Sequence, residues 1–180
     1  MKKYLVNFVA VASLATFGTA AFGQDESTNR VAAKTDWSVF VESDPTSCWA
    51  VSSPSETVNT KDGRVVAVRR SDILLFVSYI PGEAAKGQIS FTGGYPFAPG
   101  SQVALEIGGQ TFQLFTDAAT NKEMAWAPSE ADDTKIVTAM KRGAEAVLTA
   151  KSAKGTTTKD TFSLLGFTAA LSEAENRCSG

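Results

Sequence analysis

The sequence predicts a mainly β fold, a sandwich or a barrel, with one short helix near residues 130–142 and a short C-terminal helix. Apolar runs of strand length recur along the chain, separated by residues rich in Gly, Pro, Ser, Asn and Asp. One segment also alternates like a hairpin around a tight turn. Only two segments have helical periodicity. These observations favour antiparallel strands around one core.

The clearest element is a β-hairpin whose turn is Gly108-Gly109. Both glycines tolerate positive φ, as a two-residue primed turn requires. In that register Val103 faces Leu114 and Leu105 faces Phe112 on one side of the ribbon, while polar residues occupy the other side. The hairpin therefore predicts a sheet with one face on a core and the other in water.

Other strands are expected wherever short apolar runs end at turn residues. Residues 73–80 are apolar on both faces and are predicted to lie in the middle of a sheet. Residues 52–63 are rich in Ser, Pro, Thr, Asn and Asp and are predicted to form an exposed loop. The remaining predicted strands cover 37–41, 48–51, 65–68, 87–92, 146–151 and 156–165.

The internal helix has recognisable signals at both ends. Ser129 or Asp132 is its candidate N-cap, acids fill its first turn, and two basic residues precede Gly143. Ile136 and Met140 lie one turn apart and are expected to face the core. The C-terminal helix begins near residue 168.

The chain begins with the features of an export signal. Lys2 and Lys3 precede an apolar run over 5–17, and small residues precede a cleavage point before Gln24. The alternative is a membrane anchor, but the run is shorter than the ~20 residues that a membrane span needs. The prediction is a periplasmic or secreted protein with no stable transmembrane segment after processing.

With an export signal at its start, the chain is predicted to consist of three parts. Residues 1–23 are a removed signal peptide, 24–35 a flexible mature N-terminus, and 36–180 a single β domain. A mature chain of roughly 155 residues is long enough for one domain with a real core.

The charge balance argues against a nucleic-acid surface. The chain has 17 basic and 19 acidic residues, a net charge of −2, and signal removal makes it two units more negative. Nucleic-acid-binding proteins instead cluster Lys and Arg.

The two cysteines, Cys48 and Cys178, lie near the two ends of the predicted domain. An exported chain with two cysteines most simply forms one intrachain disulfide, and the alternatives are free thiols or a bond between chains. The C-terminal helix is predicted to place Leu171, Ala174 and Cys178 on one face, which can return Cys178 to Cys48.

The sequence contains no recognisable catalytic or metal-binding constellation. With no histidine, the Ser-His-Asp and Cys-His arrangements and the usual metal ligands are missing. Asp132 and Asp133 are interpreted as helix N-terminal acids rather than acid–base or calcium groups. Asp160 has no visible carboxylate partner for glycoside hydrolysis and is assigned a structural role. No catalytic residue, cofactor or metal is predicted, and the protein is expected not to be an enzyme.

Arginine and tryptophan residues are each open to two interpretations. Arg69 and Arg70 form a solvated strand end or, alternatively, an anion site. Trp37, Trp49 and Trp126 are assigned to the core or its edge, with Trp49 packed against a cystine, rather than to a sugar-binding groove.

Tyr95 and Phe97 are the candidate contact surface. They lie in a segment held between glycines and prolines, which can present aromatic side chains outward. The alternative is a rigid turn whose aromatic rings fold back onto the sheet.

Several short sequence blocks occur in a particular order and spacing along nearly all of the mature chain. The blocks are Cys48-Trp49-Ala50, Gly94-Tyr95-Pro96-Phe97 with Gly100-Ser101, Ala139-Met140-Lys141-Arg142-Gly143, Gly155-Thr156, Asp160-Thr161-Phe162-Ser163-Leu164 with Gly166-Phe167, and Cys178. In their order and spacing, these blocks together resemble the invasion-associated locus B family of exported bacterial proteins.

The resemblance implies an antiparallel, immunoglobulin-like β-sandwich in the periplasm or outside the cell, with Cys48 joined to Cys178. The family is named for a role in host-cell invasion and is virulence-associated, but brings no catalytic residues. The expected function is therefore a non-enzymatic envelope or host-interaction protein with a protein or cell-surface partner. The alternatives are a carbohydrate-binding or carbohydrate-active β-sandwich module and a structural periplasmic protein; the partner and the oligomeric state stay open.

Overall fold

Twelve antiparallel strands and two helices make up the described residues of the computed structural model, which are 29–44, 46–82, 86–117 and 119–178. The strands are β1 (Arg30–Lys34), β2 (Trp37–Ser43), β3 (Thr46–Ser52), β4 (Glu56–Lys61), β5 (Arg64–Val65), β6 (Leu74–Tyr79), β7 (Lys86–Thr92), β8 (Gln102–Ile107), β9 (Gln110–Asp117), β10 (Asn121–Trp126), β11 (Glu145–Lys151) and β12 (Thr157–Ser163). The helices are α1 (Glu130–Met140) and α2 (Phe167–Cys178).

The strands form one continuous sheet in the order β1-β2-β3-β6-β7-β10-β9-β8-β11-β12-β4-β5. Phe91 on β7 contacts Phe162 on β12, with 6.2 Å between ring centroids, although several strands separate them in the sheet. The sheet therefore folds over on itself, and the buried side chains lie between its two halves. The predicted mainly β, sandwich-like fold with two helices is confirmed.

The hairpin has the predicted register. Val103 pairs with Leu114, and Leu105 pairs with Phe112. Gly108 and Gly109 have φ of 55° and 81°. Both therefore adopt the positive φ on which the prediction of a two-residue primed turn rested. This hairpin supplies the β8 and β9 strands.

Three strands lie where the sequence predicts none. β4 falls inside the predicted loop at 52–63, and β1 falls inside the predicted flexible segment at 24–35. Both are half-exposed strands near sheet edges, and β4 pairs with β12 through its backbone. Backbone pairing needs no apolar alternation, so the polar sequence of β4 gave no signal. β10, also unpredicted, contains a register irregularity beside β9 that obscures its periodicity.

Both helices match their sequence signals. The Ser129 side chain accepts a hydrogen bond from the Asp132 backbone N–H at 3.2 Å, which makes Ser129 the N-cap of α1. Ile136 and Met140 are buried as expected. Neither helix has the length and hydrophobicity that a membrane crossing requires, within the residues described. The predicted signal peptide at 1–23 lies outside those residues.

Helix α2 covers β1, β2, β3 and β6, and a covalent bond holds it there. Cys48 on β3 and Cys178 on α2 form a disulfide, as predicted, with their Cα atoms 5.9 Å apart. Trp37 packs edge-on against Phe167 at the other end of the helix, with ring centroids 4.9 Å apart. The terminal helix is therefore fixed to the sheet at both of its ends.

Candidate functional site

Five aromatic side chains lie on the outer face of one half of the sheet, which points away from the core. They are half-buried, apart from Phe115, which is 39% exposed. We call this surface the outer aromatic face, and it consists of Phe40, Trp49, Phe76, Phe115 and Trp126.

Strand register places these residues on one side. Phe40 pairs with Trp49 across β2 and β3, and Trp126 pairs with Phe115 across β10 and β9. Ser90 on β7 pairs with both Phe76 and Trp126, so it lies between their two strands. The row crosses six strands, about 24 Å at about 4.8 Å between neighbouring strands.

Ring contacts organise each end of the row. The Phe40 and Trp49 rings are nearly parallel, with centroids 6.0 Å apart and 8° between planes. At the other end, the Phe115 and Trp126 centroids lie 5.8 Å apart with 36° between planes. Paired aromatic rings limit each other's rotation, so the rings present a stable surface to solvent.

Two grooves border the part of the outer aromatic face formed by Phe40, Trp49 and Phe76, and both have Trp49 and Phe76 as walls. Their volumes are about 620 Å³ and about 370 Å³. The described lining residues are mainly aromatic, aliphatic or uncharged polar, and no Lys or Arg is among them. Their two carboxylates are Asp36 in the larger groove and Glu123 in the smaller.

Hydrogen bonds fix part of the wall of the larger groove. The Ser52 hydroxyl donates to the Asp36 backbone carbonyl at 2.7 Å, and the Ser55 hydroxyl donates to the Thr161 carbonyl at 3.1 Å. The Ser55 backbone N–H also donates to Thr161, at 2.8 Å. These bonds join the end of β3 to the turn before β2, and the segment after β3 to β12, so this wall is preformed.

Of the three tryptophans assigned to the core or its edge, Trp37 lies in the core and is 1% exposed, whereas Trp49 and Trp126 are half-buried on the outer face. Trp49 lies on the opposite face of β3 from Cys48 and does not pack on the cystine. Since successive residues of a strand point to opposite faces, an inward Cys48 already implied an outward Trp49. Phe40, Phe76 and Phe115 were missed because isolated outward aromatics carry no sequence signal.

A second group of functional-looking residues lies in the interior. The Arg70 guanidinium binds both carboxylate oxygens of Asp160, at 2.7 and 2.6 Å, and the Asp160 side chain is fully buried. Arg70 also donates to the Asn59 side chain at 3.3 Å and lies 5.0 Å from the Tyr95 ring centroid. The Tyr95 hydroxyl bonds Thr158 at 2.5 Å. These five residues form what we call the Arg70 cluster.

The Arg70 cluster corrects one interpretation and supports another. Arg70 is not part of a solvated strand end, because its side chain is only 6% exposed, whereas its neighbour Arg69 is exposed. Asp160 has the structural role assigned to it. Arg70 Nε also donates to the Gly93 carbonyl at 2.8 Å, so the cluster fixes the segment between β5 and β6 against the turn after β7.

The structure does not place Tyr95 and Phe97 on an exposed contact surface. Phe97 is 4% exposed and packs in the core, and Tyr95 is half-buried with its ring edge-on to Phe97, centroids 5.3 Å apart. The alternative, a turn whose rings fold back onto the sheet, describes the arrangement. Gly94 has φ of 71°, and a Cβ there would lie 2.5 Å from the Ser71 carbonyl oxygen, so only glycine fits this turn.

Burial raises the pKa of the Tyr95 hydroxyl and, separately, of the Asp133 carboxyl. Asp133 accepts a hydrogen bond from the Ile89 backbone N–H at 2.7 Å, which ties α1 to β7. The Ser129 hydroxyl lowers the pKa of the neighbouring Asp132, an exposed helix-start acid. No cluster of three or more metal-ligating side chains occurs among the described residues. Asp132 and Asp133 therefore each have a hydrogen-bond partner in the fold, Ser129 and the Ile89 backbone N–H respectively.

The sequence model of the family described as "Invasion associated locus B (IalB) protein" matches residues 37–175. The chain belongs to the IalB family. No curated protein matches its sequence. A crystal structure of invasion associated protein B from Bartonella henselae is similar in fold, with a TM-score of 0.54 and 16% identity over 83% of this chain and 98% of that chain. At that identity, the similarity concerns the fold alone.

The sequence blocks that resemble the IalB family have structural partners in this chain. Tyr95 and Asp160, from two separate blocks, meet in the Arg70 cluster, and Cys48 joins Cys178. Of the outer aromatic face, only Trp49 belongs to a block. The family resemblance therefore rests mainly on residues that hold the fold together.

Proposed function

We propose that this IalB-family protein is exported and non-enzymatic, and acts at the cell envelope or on a host cell by binding a partner. The observation that carries the proposal is the outer aromatic face. Soluble proteins rarely expose contiguous apolar surface without a function, and aromatic residues are enriched where proteins bind partners. Here the exposed rings form one row instead of being scattered singly.

Export is supported by two independent features. The first residues have the basic, apolar and small-residue segments of a signal peptide. The Cys48–Cys178 bond is the second, since structural disulfides form and persist in oxidising compartments.

At the outer aromatic face, a non-enzymatic role is supported by the positions of the nearby and buried acids. Glycosidases place two carboxyl groups roughly 5 to 10 Å apart across the scissile bond. Asp160 is unavailable because Arg70 neutralises it in the interior, and Asp133 is held by a backbone N–H. The two acids exposed to the grooves, Asp36 and Glu123, lie in different grooves.

Site-specific photo-crosslinking in intact cells tests the binding role. A photoreactive phenylalanine analogue at Phe115 samples the outer aromatic face, and the same analogue at Val65, which is 77% exposed on β5, is the matched control. We expect a crosslinked adduct from position 115 and none from position 65. Equal adducts from both positions, or none from either, would contradict a partner on this face.

Turnover assays test the non-enzymatic part. The purified mature protein is expected to leave a panel of chromogenic glycosides unhydrolysed. Hydrolysis that disappears in Asp36→Asn or Glu123→Gln would instead identify a carbohydrate-active enzyme.

A further inference from the structure

We infer that the outer aromatic face binds an uncharged glycan, a chain of neutral pyranose rings lying across the strands. This inference rests on the proposed binding function and names its ligand class. Three observations converge on it: the row of rings, the hydroxyl-bearing groove walls, and the absence of basic residues from the described lining.

The rings match the apolar side of a sugar. A pyranose ring exposes one face of C–H groups, which packs against the negative π-face of an aromatic side chain through dispersion and weak electrostatic attraction. Phe40 and Trp49 form one platform, and Phe115 and Trp126 form a second at the other end of the row. Two ring pairs at opposite ends of one row suit a ligand with several flat units in a chain, such as an oligosaccharide, better than they suit a small molecule with one such unit.

The groove walls match the polar side of a sugar. Each ring carries hydroxyl groups at its edge, and every hydroxyl that loses water on binding needs a hydrogen-bond partner. Ser38, Ser53 and Ser163 line the larger groove, and Ser78 and Thr92 line the smaller. Such groups both donate and accept hydrogen bonds, as sugar hydroxyls do.

The charge of the grooves selects against anionic ligands. Asp36 and Glu123 are the charged lining residues among those described, and both are acids. Phosphates, sulfated glycans and nucleic acids bind where Lys or Arg neutralises them. Carboxylates accept hydrogen bonds from neutral sugar hydroxyls, so the same acids that repel an anion favour an uncharged glycan.

The shape of the site favours a linear ligand over a protein partner. The row is about 24 Å long across six strands, and grooves flank the part of it formed by Phe40, Trp49 and Phe76. A standard protein interface needs roughly 800 Å² from each partner, with a central buried cluster inside a polar rim. A long, narrow row of rings with polar groove walls beside part of it suits an extended chain better than it suits a compact protein interface.

The test uses the purified mature protein and neutral hexasaccharides, namely cellohexaose, chitohexaose, maltohexaose and xylohexaose, with a sulfated glycan as the anionic comparison. Trp37 is buried against Phe167, so changes in tryptophan emission report on Trp49 and Trp126. We expect saturable emission changes with at least one neutral hexasaccharide and none with the sulfated glycan. Calorimetry then gives affinities for the variants, which lack one of these fluorophores.

The variants separate the face from the rest of the surface. Phe115→Thr and Trp126→Thr are expected to weaken binding about tenfold each, because each removes one stacking ring. Val65→Ser, which removes a more exposed apolar side chain on β5, is the matched control and should leave affinity unchanged. Urea midpoints of all variants confirm that each protein is folded.

Two results would overturn the inference of a glycan ligand, and each can be distinguished from a failure of the proposed binding function. In the first, no neutral glycan binds, but the crosslink at position 115 forms with a protein or with a second copy of this chain. The proposed binding function would then be supported, and the inferred ligand class would be wrong. If a glycan binds equally well to Phe115→Thr, Trp126→Thr and wild type, the outer aromatic face is not its site.

Discussion

The Arg70 cluster and the outer aromatic face contain the same kinds of side chain that often mark functional sites, but their surroundings differ. In the Arg70 cluster, charged and aromatic groups are buried and hydrogen-bonded to one another. On the outer aromatic face, rings are half-exposed and have no polar partners of their own except the groove walls. A buried polar group that is hydrogen-bonded within the protein stabilises the fold. A preformed surface that is open to solvent is instead available to a ligand.

The difference also separates the family resemblance from the candidate site. Tyr95 and Asp160 lie in blocks that resemble the IalB family, and both end in the Arg70 cluster. Phe40, Phe76 and Trp126 lie in no block. The resemblance therefore identifies the fold, and the binding surface has to be found from the structure of this chain.

The largest effect is expected from Arg70→Met, which leaves the buried Asp160 carboxylate without its partner. Removing one member of a buried ion pair costs about 3–5 kcal/mol, so the urea midpoint should fall steeply. The adjacent Arg69→Met is the matched control, because Arg69 is exposed and its loss should change the free energy of unfolding by about 0.5 kcal/mol or less. Equal midpoints for the two variants would refute the stabilising role of the Arg70 cluster.

The disulfide should have the next largest effect. Cys48→Ala with Cys178→Ala removes the covalent link that holds α2 on the sheet, at a cost of about 2–5 kcal/mol in unfolding free energy. Because the bond lies on the inner side of β3, opposite Trp49, the variant should keep its affinity for any ligand of the outer aromatic face. Loss of affinity in a fully folded variant would mean that the two sides of β3 are coupled.

Trp126→Thr should destabilise the protein much less than Arg70→Met. Its ring is half-exposed and its main aromatic contact is Phe115, so we expect a loss of about 1 kcal/mol in urea unfolding. Threonine keeps the preference for a strand. A loss as large as that of Arg70→Met would show that the outer aromatic face is part of what holds the fold together.

The smallest expected effect is a change in alkaline stability. Burial raises the pKa of Tyr95 above the value of about 10 that tyrosine has in an unfolded chain. The folded state then binds its proton more tightly, so stability is complete below about pH 10 and falls as the pH rises above it. Tyr79 behaves alike, since burial raises its pKa to about 12.

Tyr95→Phe should reduce that alkaline loss while costing about 1 kcal/mol at pH 7, because the hydrogen bond to Thr158 is removed. Urea midpoints between pH 8 and 11 measure both effects. Variants of the outer aromatic face should retain the wild-type pH dependence, because no tyrosine lies on it. A steeper alkaline loss in Tyr95→Phe than in wild type would contradict the assignment.

Local signals explain what could be predicted from the sequence. The Gly108-Gly109 turn and the alternation of apolar and polar residues on either side of it predicted the β8–β9 register, because a two-residue turn leaves little choice of strand pairing. Ser129 and the acids after it placed the start of α1. Arg70 was misassigned because its partner, Asp160, is 90 residues away and its sequence neighbours are polar.

The outer aromatic face was only partly accessible from the sequence. The inward position of Cys48 could have assigned Trp49 to the outside by strand alternation. Trp126 could not be assigned this way, because the register of β10 shifts between Asn121 and Ala125 and breaks the period. Phe76 belongs to the row because β6 pairs with β7 and β7 pairs with β10. These pairings join strands that are distant in sequence, so only the folded sheet establishes them.

The most direct test of the central claim is the retention of purified mature protein on washed cell envelopes and host-cell surfaces. Three proteins are compared at equal concentration: wild type, the double variant Phe115→Thr with Trp126→Thr, and the double control Val65→Ser with Arg69→Met. The account predicts saturable retention of wild type and control, and at least about a tenfold loss of affinity in the face variant. Equal retention of all three folded proteins would contradict it.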